Sequence, residues 1–126
     1  MKTQTMMRSI AASLLVAALA PSTAWAAQGF VQGKVFRTLL DSSLYGGCMA
    51  ALSASPSVPL PNCSPWWVSF ACNSSDPAAV VDPVVGYRMM DQAQLAFVTQ
   101  KDVFLVVDDS RIFNGYCVAT RIDVIQ

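Results

Sequence analysis

The chain has no histidine, and its acidic residues are eight aspartates with no glutamate among them. Without histidine it lacks the commonest general base, the commonest transition-metal ligand and the side chain that ordinarily titrates near neutrality. Charge of either sign is scarce, at 13% of 126 residues. From residue 27 onward Lys34, Arg37, Arg88, Lys101, Arg111 and Arg121 stand against the eight aspartates, a net −2 that leaves no basic patch for a nucleic-acid backbone. No serine or cysteine sits in an activating context, and the only general-base candidates are aspartates, Lys34 and Lys101. The sequence therefore reads as a non-catalytic protein that needs no metal and no cofactor. Internal repeats and low-complexity tracts are absent as well.

What is present starts with a three-part leader. Lys2 and Arg8 supply positive charge, Ile10 to Ala20 is a short apolar segment, and Pro21 breaks it before Ala24-Trp25-Ala26. That order predicts a secretory signal peptide over residues 1–26, cleaved after Ala26. Its apolar part is about half the roughly 20 residues of a membrane-spanning helix, so no membrane span is expected. The mature protein would be a single domain, residues 27–126, located in the periplasm or secreted. Its tryptophans would be the adjacent pair Trp66–Trp67, since Trp25 leaves with the leader.

Four cysteines follow, Cys48, Cys63, Cys72 and Cys117. An even number in a short exported chain reads as two disulfides with three connectivities open. Sequence spacings of 15, 9 and 45 do not suit the close cysteine pairs of a structural zinc site.

Gly33 to Asp41 reads as a first strand and Cys48 to Ala54 as a second. Ser55 to Pro65, with four prolines, must be a loop, and Trp66 to Asn73 a third strand. In a hairpin that sets Cys48 opposite Cys72, Ala50 faces Phe70, Leu52 faces Val68 and Ala54 faces Trp66, all apolar and on one side. The other side carries Met49 with Ala71, Ala51 with Ser69, and Ser53 with Trp67. This register predicts a Cys48–Cys72 bridge, which leaves Cys63 for Cys117. Asp-Pro occurs twice, at Asp76 and Asp82. The second is the better helix start, because a periodic segment of about four turns follows with Val85, Met89, Ala93, Ala96 and Phe97 on one face. Met89 and Met90 read as helix core filler. Asp102 to Val107 is a fourth strand, Asp108 to Gly115 a connection ending in Asn-Gly, and Tyr116 to Ile125 a fifth strand.

Three strands, a helix and a final hairpin is the order of a five-stranded OB-like barrel, mainly β with one α-helix and here two disulfides. The runs GKVFRTLLDSSLYGGCMAALS and WWVSFAC, the amphipathic helix and the strand opening DVFLVV together resemble the pentamer-forming B subunits of bacterial A–B toxins, of the subtilase-cytotoxin and pertussis-like type. The resemblance spans roughly residues 33–125. It implies a glycan or protein ligand, a homo-oligomeric ring of five and a catalytic toxin chain as partner. In that family a cysteine early in the second strand is bridged to one late in the third, which matches Cys48 and Cys72. No glycan-contacting residue transfers, since only Ala27 to Gln32 precede the first strand.

Trp67 is the one ligand-binding candidate, because the register turns it away from Trp66, which is assigned to the core. Asp108, Asp109 and Asn114 lack the alternating ligand placement of a calcium loop and read as a solvated connection. Ser42, Ser43 and Tyr45 read as ordinary turn residues. The expected function is thus that of an exported binding domain resembling a toxin B subunit. The alternative is a monomeric periplasmic inhibitor or immunity-type protein acting on an envelope enzyme through the loop 55–65. The exported protein is expected to begin at Ala27, which intact mass measurement checks; a mature species retaining the leader would contradict the signal-peptide assignment.

Overall fold

Alternation of buried and exposed residues, the mark of a strand with one face on a core, is clearest over residues 28–36, whereas residues 48–52 are buried on both faces. In the computed structural model, which describes residues 27–42, 44–73 and 81–126, the order is β1 (Gln28–Leu40), β2 (Cys48–Leu52), β3 (Trp67–Ser69), α1 (Pro83–Thr99), β4 (Asp102–Phe113) and β5 (Tyr116–Ile125). The leader 1–26, Ser43 and the first Asp-Pro pair lie outside the described residues. The strands close in the order β1-β2-β3-β5-β4, with β4 returning to β1. All pairings are antiparallel except β3 with β5, which meet in parallel at Ser69 and Val118. The architecture is the expected OB-like barrel with one helix and two disulfides.

One long strand serves both halves of the ring. Residues 28–34 of β1 pair with β4 and residues 35–40 pair with β2, and the switch is made at a bulge between Val35 and Arg37. The extra residue, Phe36, is exposed, and beyond it the in–out alternation reverses. The strand starts earlier than the expected Gly33 because Gln28 to Gly33 have β4 as a partner, a long-range pairing that local propensity does not reveal.

The core holds Val31 and Val35 of β1, Cys48, Ala50 and Leu52 of β2, Val68 and Phe70, and Val103, Leu105 and Val107 of β4. Leu60, from the proline-rich loop, joins it by lying on Gly29, where a Cβ would stand 2.6 Å from the leucine Cγ. Helix α1 adds Met89, Met90, Ala93 and Ala96. Asp82 caps it as expected, its carboxylate accepting from Val84 N–H at 2.9 Å with Pro83 in the first position. At the other end Lys34 Nζ donates to the Gln100 carbonyl at 2.8 Å and pairs with Asp102 at 3.0 Å, tying the helix to the start of β4.

Met89, Ala93 and Ala96 of the expected face are buried, as is Met90, but Val85 and Phe97 are 45% and 39% exposed and Gly86 is buried in addition. The cause is close approach: a Cβ on Gly86 would meet the Phe70 carbonyl oxygen at 2.5 Å, so the glycine side alone can press on the sheet.

Both expected disulfides are present, Cys48–Cys72 with Cα atoms 5.6 Å apart and Cys63–Cys117 at 5.2 Å. The register that suggested the first is two residues out: Ala51 pairs with Trp67, Ala50 with Val68 and Met49 with Ser69. A shift of two preserves the faces, so Val68, Phe70 and Cys72 still point inward. Cys72 reaches Cys48 beyond the end of the strand, where Phe70 N–H donates to the Cys48 carbonyl at 3.0 Å and Ala71 turns left-handed at φ 52°.

Two other expectations are corrected. Trp66 is not core: it is 49% exposed at φ 69°, and β2 and β3 are shorter than expected because left-handed residues bound the ladder, Trp66 before β3 and Ala71 after it. The segment 108–115 is not an open connection, since β4 runs through to Phe113 and the turn is confined to Asn114 and Gly115, both at positive φ.

Replacing Cys63 and Cys117 together by serine removes the link across the parallel β3–β5 contact. With a sequence separation of 54, this double variant is expected to unfold at lower denaturant, with a loss of about 3–4 kcal/mol. Hydrogen exchange should show protection falling at Val118 before it falls in the β1–β4 ladder.

Candidate functional site

The barrel has an outer row that reads across three strands. Arg37 of β1 pairs with Ala51 of β2, which pairs with Trp67 of β3. Below it Leu39 pairs with Met49, and Met49 with Ser69. Because Ala51 is small, Arg37 can reach over it, and its guanidinium carbon lies 5.5 Å from the Trp67 ring centroid. This cation–π contact, worth about 0.5–1 kcal/mol at an exposed site, covers the residue that the sequence singled out.

Met49 and Ala51 are as buried as the barrel interior, although they face outward. Ala51 lies in register between Arg37 and Trp67, and Met49 borders the same concavity as Tyr45 of the loop between β1 and β2. Tyr45 in that loop makes an edge contact with Tyr116 of β5, ring centroids 5.6 Å apart at 83°. Ser69, wholly buried, donates its hydroxyl to the Tyr45 carbonyl at 3.0 Å and accepts from Ala71 N–H at 3.1 Å. Gly46 permits this approach, since it adopts φ 80° and a Cβ there would fall 2.7 Å from the Ser69 hydroxyl.

Arg37, Leu39, Tyr45, Met49, Trp67 and Tyr116 together line an open cleft of about 200 Å³. Cavities that hold drug-sized molecules are larger, roughly 300–1,000 Å³. The cleft therefore suits one ring or one side chain: a flat indole and two phenols offer stacking and hydroxyl groups, and Arg37 offers donors for a carboxylate or carbonyl.

Trp66 shapes the site through its backbone. Trp67 N–H donates to the Pro65 carbonyl at 2.9 Å, closing a three-residue turn on Trp66 at φ 69°. A left-handed bulky residue costs of order 1–3 kcal/mol. Here the turn is held by Leu52 N–H donating to the Trp66 carbonyl at 2.8 Å, and it leaves Trp67 on the outer face.

The aspartates that a calcium loop would have used are engaged with protein groups. Asp108 accepts from Ser110 N–H and Oγ at 2.9 and 2.6 Å and pairs with Arg111 at 3.4 Å. Asp109 accepts from Ala27 N–H at 2.8 Å and from the Asn62 amide at 3.3 Å. Asn114 donates to the Leu44 carbonyl at 3.4 Å. Among the described residues no three His, Cys, Asp or Glu side chains converge.

The sequence thus located Trp67 but missed Arg37, Leu39, Met49 and Tyr116, and took Tyr45 only as a turn residue. Alternation from Val35 would put Arg37 inside; the bulge at Phe36 puts it outside. A charged residue at an apparently inward position was the available signal.

In a Trp66→Phe background, Arg37→Ala is expected to raise acrylamide quenching of Trp67 fluorescence and shift its emission to the red. Stability should fall by only about 0.5–1 kcal/mol. Unchanged quenching would show that Arg37 does not cover the ring.

No family model, curated protein or solved structure matches the chain, so the chemistry of this cleft stands on its own geometry.

Proposed function

We propose that the protein is an exported, non-catalytic binding domain whose ligand, a glycan or a protein, is held in the cleft by Trp67 and Arg37. The observation that carries this reading is a half-buried indole on the outside of the barrel, under a guanidinium and beside two tyrosines, at an open concavity the size of one ring. Aromatic and arginine side chains in such settings dominate binding energy. The Arg37–Trp67 contact contributes too little stability to explain the arrangement by folding alone.

One feature supports export: both pairs of cysteines are bridged, which suits an oxidising compartment. Cleavage after Ala26 would also turn the Ala27 nitrogen, 2.8 Å from Asp109 Oδ1, into an ammonium beside a carboxylate.

One observation favours the inhibitor reading. Val58 is 82% exposed in the proline-rich loop, which is anchored by buried Leu60 and by Cys63–Cys117. An exposed side chain on a loop anchored in this way is pre-organised for contact with an enzyme surface.

Screening the oxidised protein on a glycan array and against envelope lytic enzymes separates the two. Trp67→Ala and Arg37→Ala are expected to weaken ligand binding about tenfold or more, with Val58→Asp unaffected. Loss only in Val58→Asp would transfer the activity to the loop, and binding unchanged in both cleft variants would remove the cleft from the reading.

A further inference from the structure

Helix α1 presents an unexpected surface to solvent. Its buried residues Gly86, Met89, Met90, Ala93 and Ala96 face the barrel. At 100° per residue, Val84, Arg88, Asp91, Leu95 and Val98 fall within a sector of about 80° on the opposite side. Their spacing of four, three, four and three is that of a coiled-coil seam. Val84, Leu95 and Val98 are 65%, 50% and 77% exposed, and the side chains of Arg88 and Asp91 are 81% and 62% exposed. The middle of this face carries one cation and one anion, 3.9 Å apart along the helix, but both of its ends are aliphatic where a solvated face is ordinarily polar.

The charge order identifies the occupant. In a parallel pair in register, Arg88 would meet Arg88 of the other copy and Asp91 would meet Asp91, which repels twice. In an antiparallel pair with its two-fold axis between residues 89 and 90, Arg88 of each copy meets Asp91 of the other, and Val84 meets Leu95. Both ionic layers are then complementary and both flanking layers are apolar, as an isologous two-fold contact requires.

We propose that the protein self-associates as an antiparallel dimer through this face of α1, the stripe Val84, Arg88, Asp91, Leu95 and Val98 packing against the same stripe of a second copy. The helix has 17 residues, about 25 Å at 1.5 Å per residue, so the contact is below the ~1,200 Å² of stable standard-size interfaces. The dimer is accordingly reversible and forms with rising concentration. It uses a face separate from the Trp67 cleft, so it stands or falls independently of the binding reading.

Sedimentation velocity on the oxidised protein, from micromolar to millimolar concentration, tests this. The wild type should pass from monomer to dimer, and Leu95→Glu should remain monomeric. Arg88→Asp and Asp91→Arg should each weaken the dimer about tenfold or more, whereas the double variant carrying both should restore it to within about threefold of wild type. Circular dichroism melts of these exposed-site variants confirm the fold, and Trp67→Ala should dimerise normally. A wild type that stays monomeric, a pentamer, a dimer insensitive to Leu95→Glu, or a double swap that fails to restore association would each overturn the proposal.

Discussion

The structure depends on how its shortest strand is held. β3 has three residues and meets β5 through one bridge pair, Ser69 with Val118, far too little hydrogen bonding to close a ring by itself. Each flank of β3 is instead stitched to a different neighbour. Cys63, four residues before it, is bonded to Cys117 beside Val118 on β5, and Cys72, three residues after it, is bonded to Cys48 at the start of β2. The disulfides therefore sit where the ladder is weakest. In a small domain, whose core alone supplies modest stability, covalent closure of that seam lets the chain tolerate left-handed residues at both ends of one strand.

Those two left-handed residues shape the surface as well as the seam. Trp66 turns the chain so that Trp67 enters β3 facing outward, and Ala71 turns it again so that Cys72 comes back over Cys48. Between them lie Trp67, Val68, Ser69 and Phe70, of which Val68 and Phe70 face the core and the other two face out. The outer pair is used fully: Ser69 anchors the loop of Tyr45, and Trp67 lies under Arg37. The wall of the cleft is thus a consequence of the same kinks that the disulfides hold.

A low charge content sharpens both surfaces. Arg37 is among few cations on the molecule, and it spends its guanidinium on an aromatic face. The outward stripe of α1 has one charge of each sign, spaced for pairing across a two-fold axis. With so few charges to screen or compete, the placement of each carries more weight in selecting what can approach.

Local chemistry read from the residues was enough for the order of elements, the Asp82-Pro83 helix start, the Asn-Gly turn, the inward faces of β2 and β3 and both cysteine pairings. Each depends on periodicity or on a few adjacent residues, and the cysteine assignment survived a register error because a slip of two returns every side chain to its own face. Trp67 was legible for the same reason. Arg37 was not, because the bulge at Phe36 that turns it outward exists only where β1 leaves β4 for β2. Nor was the exposure of Trp66 or the burial of Gly86, which follow from a turn braced by Leu52 and from the contact of α1 with the backbone of Phe70. Sequence determines which segments are strand or helix and which faces are apolar; bulges, left-handed kinks and the close approach of the helix at Gly86 were decided only by the closed ring, because they are set by partners distant along the chain.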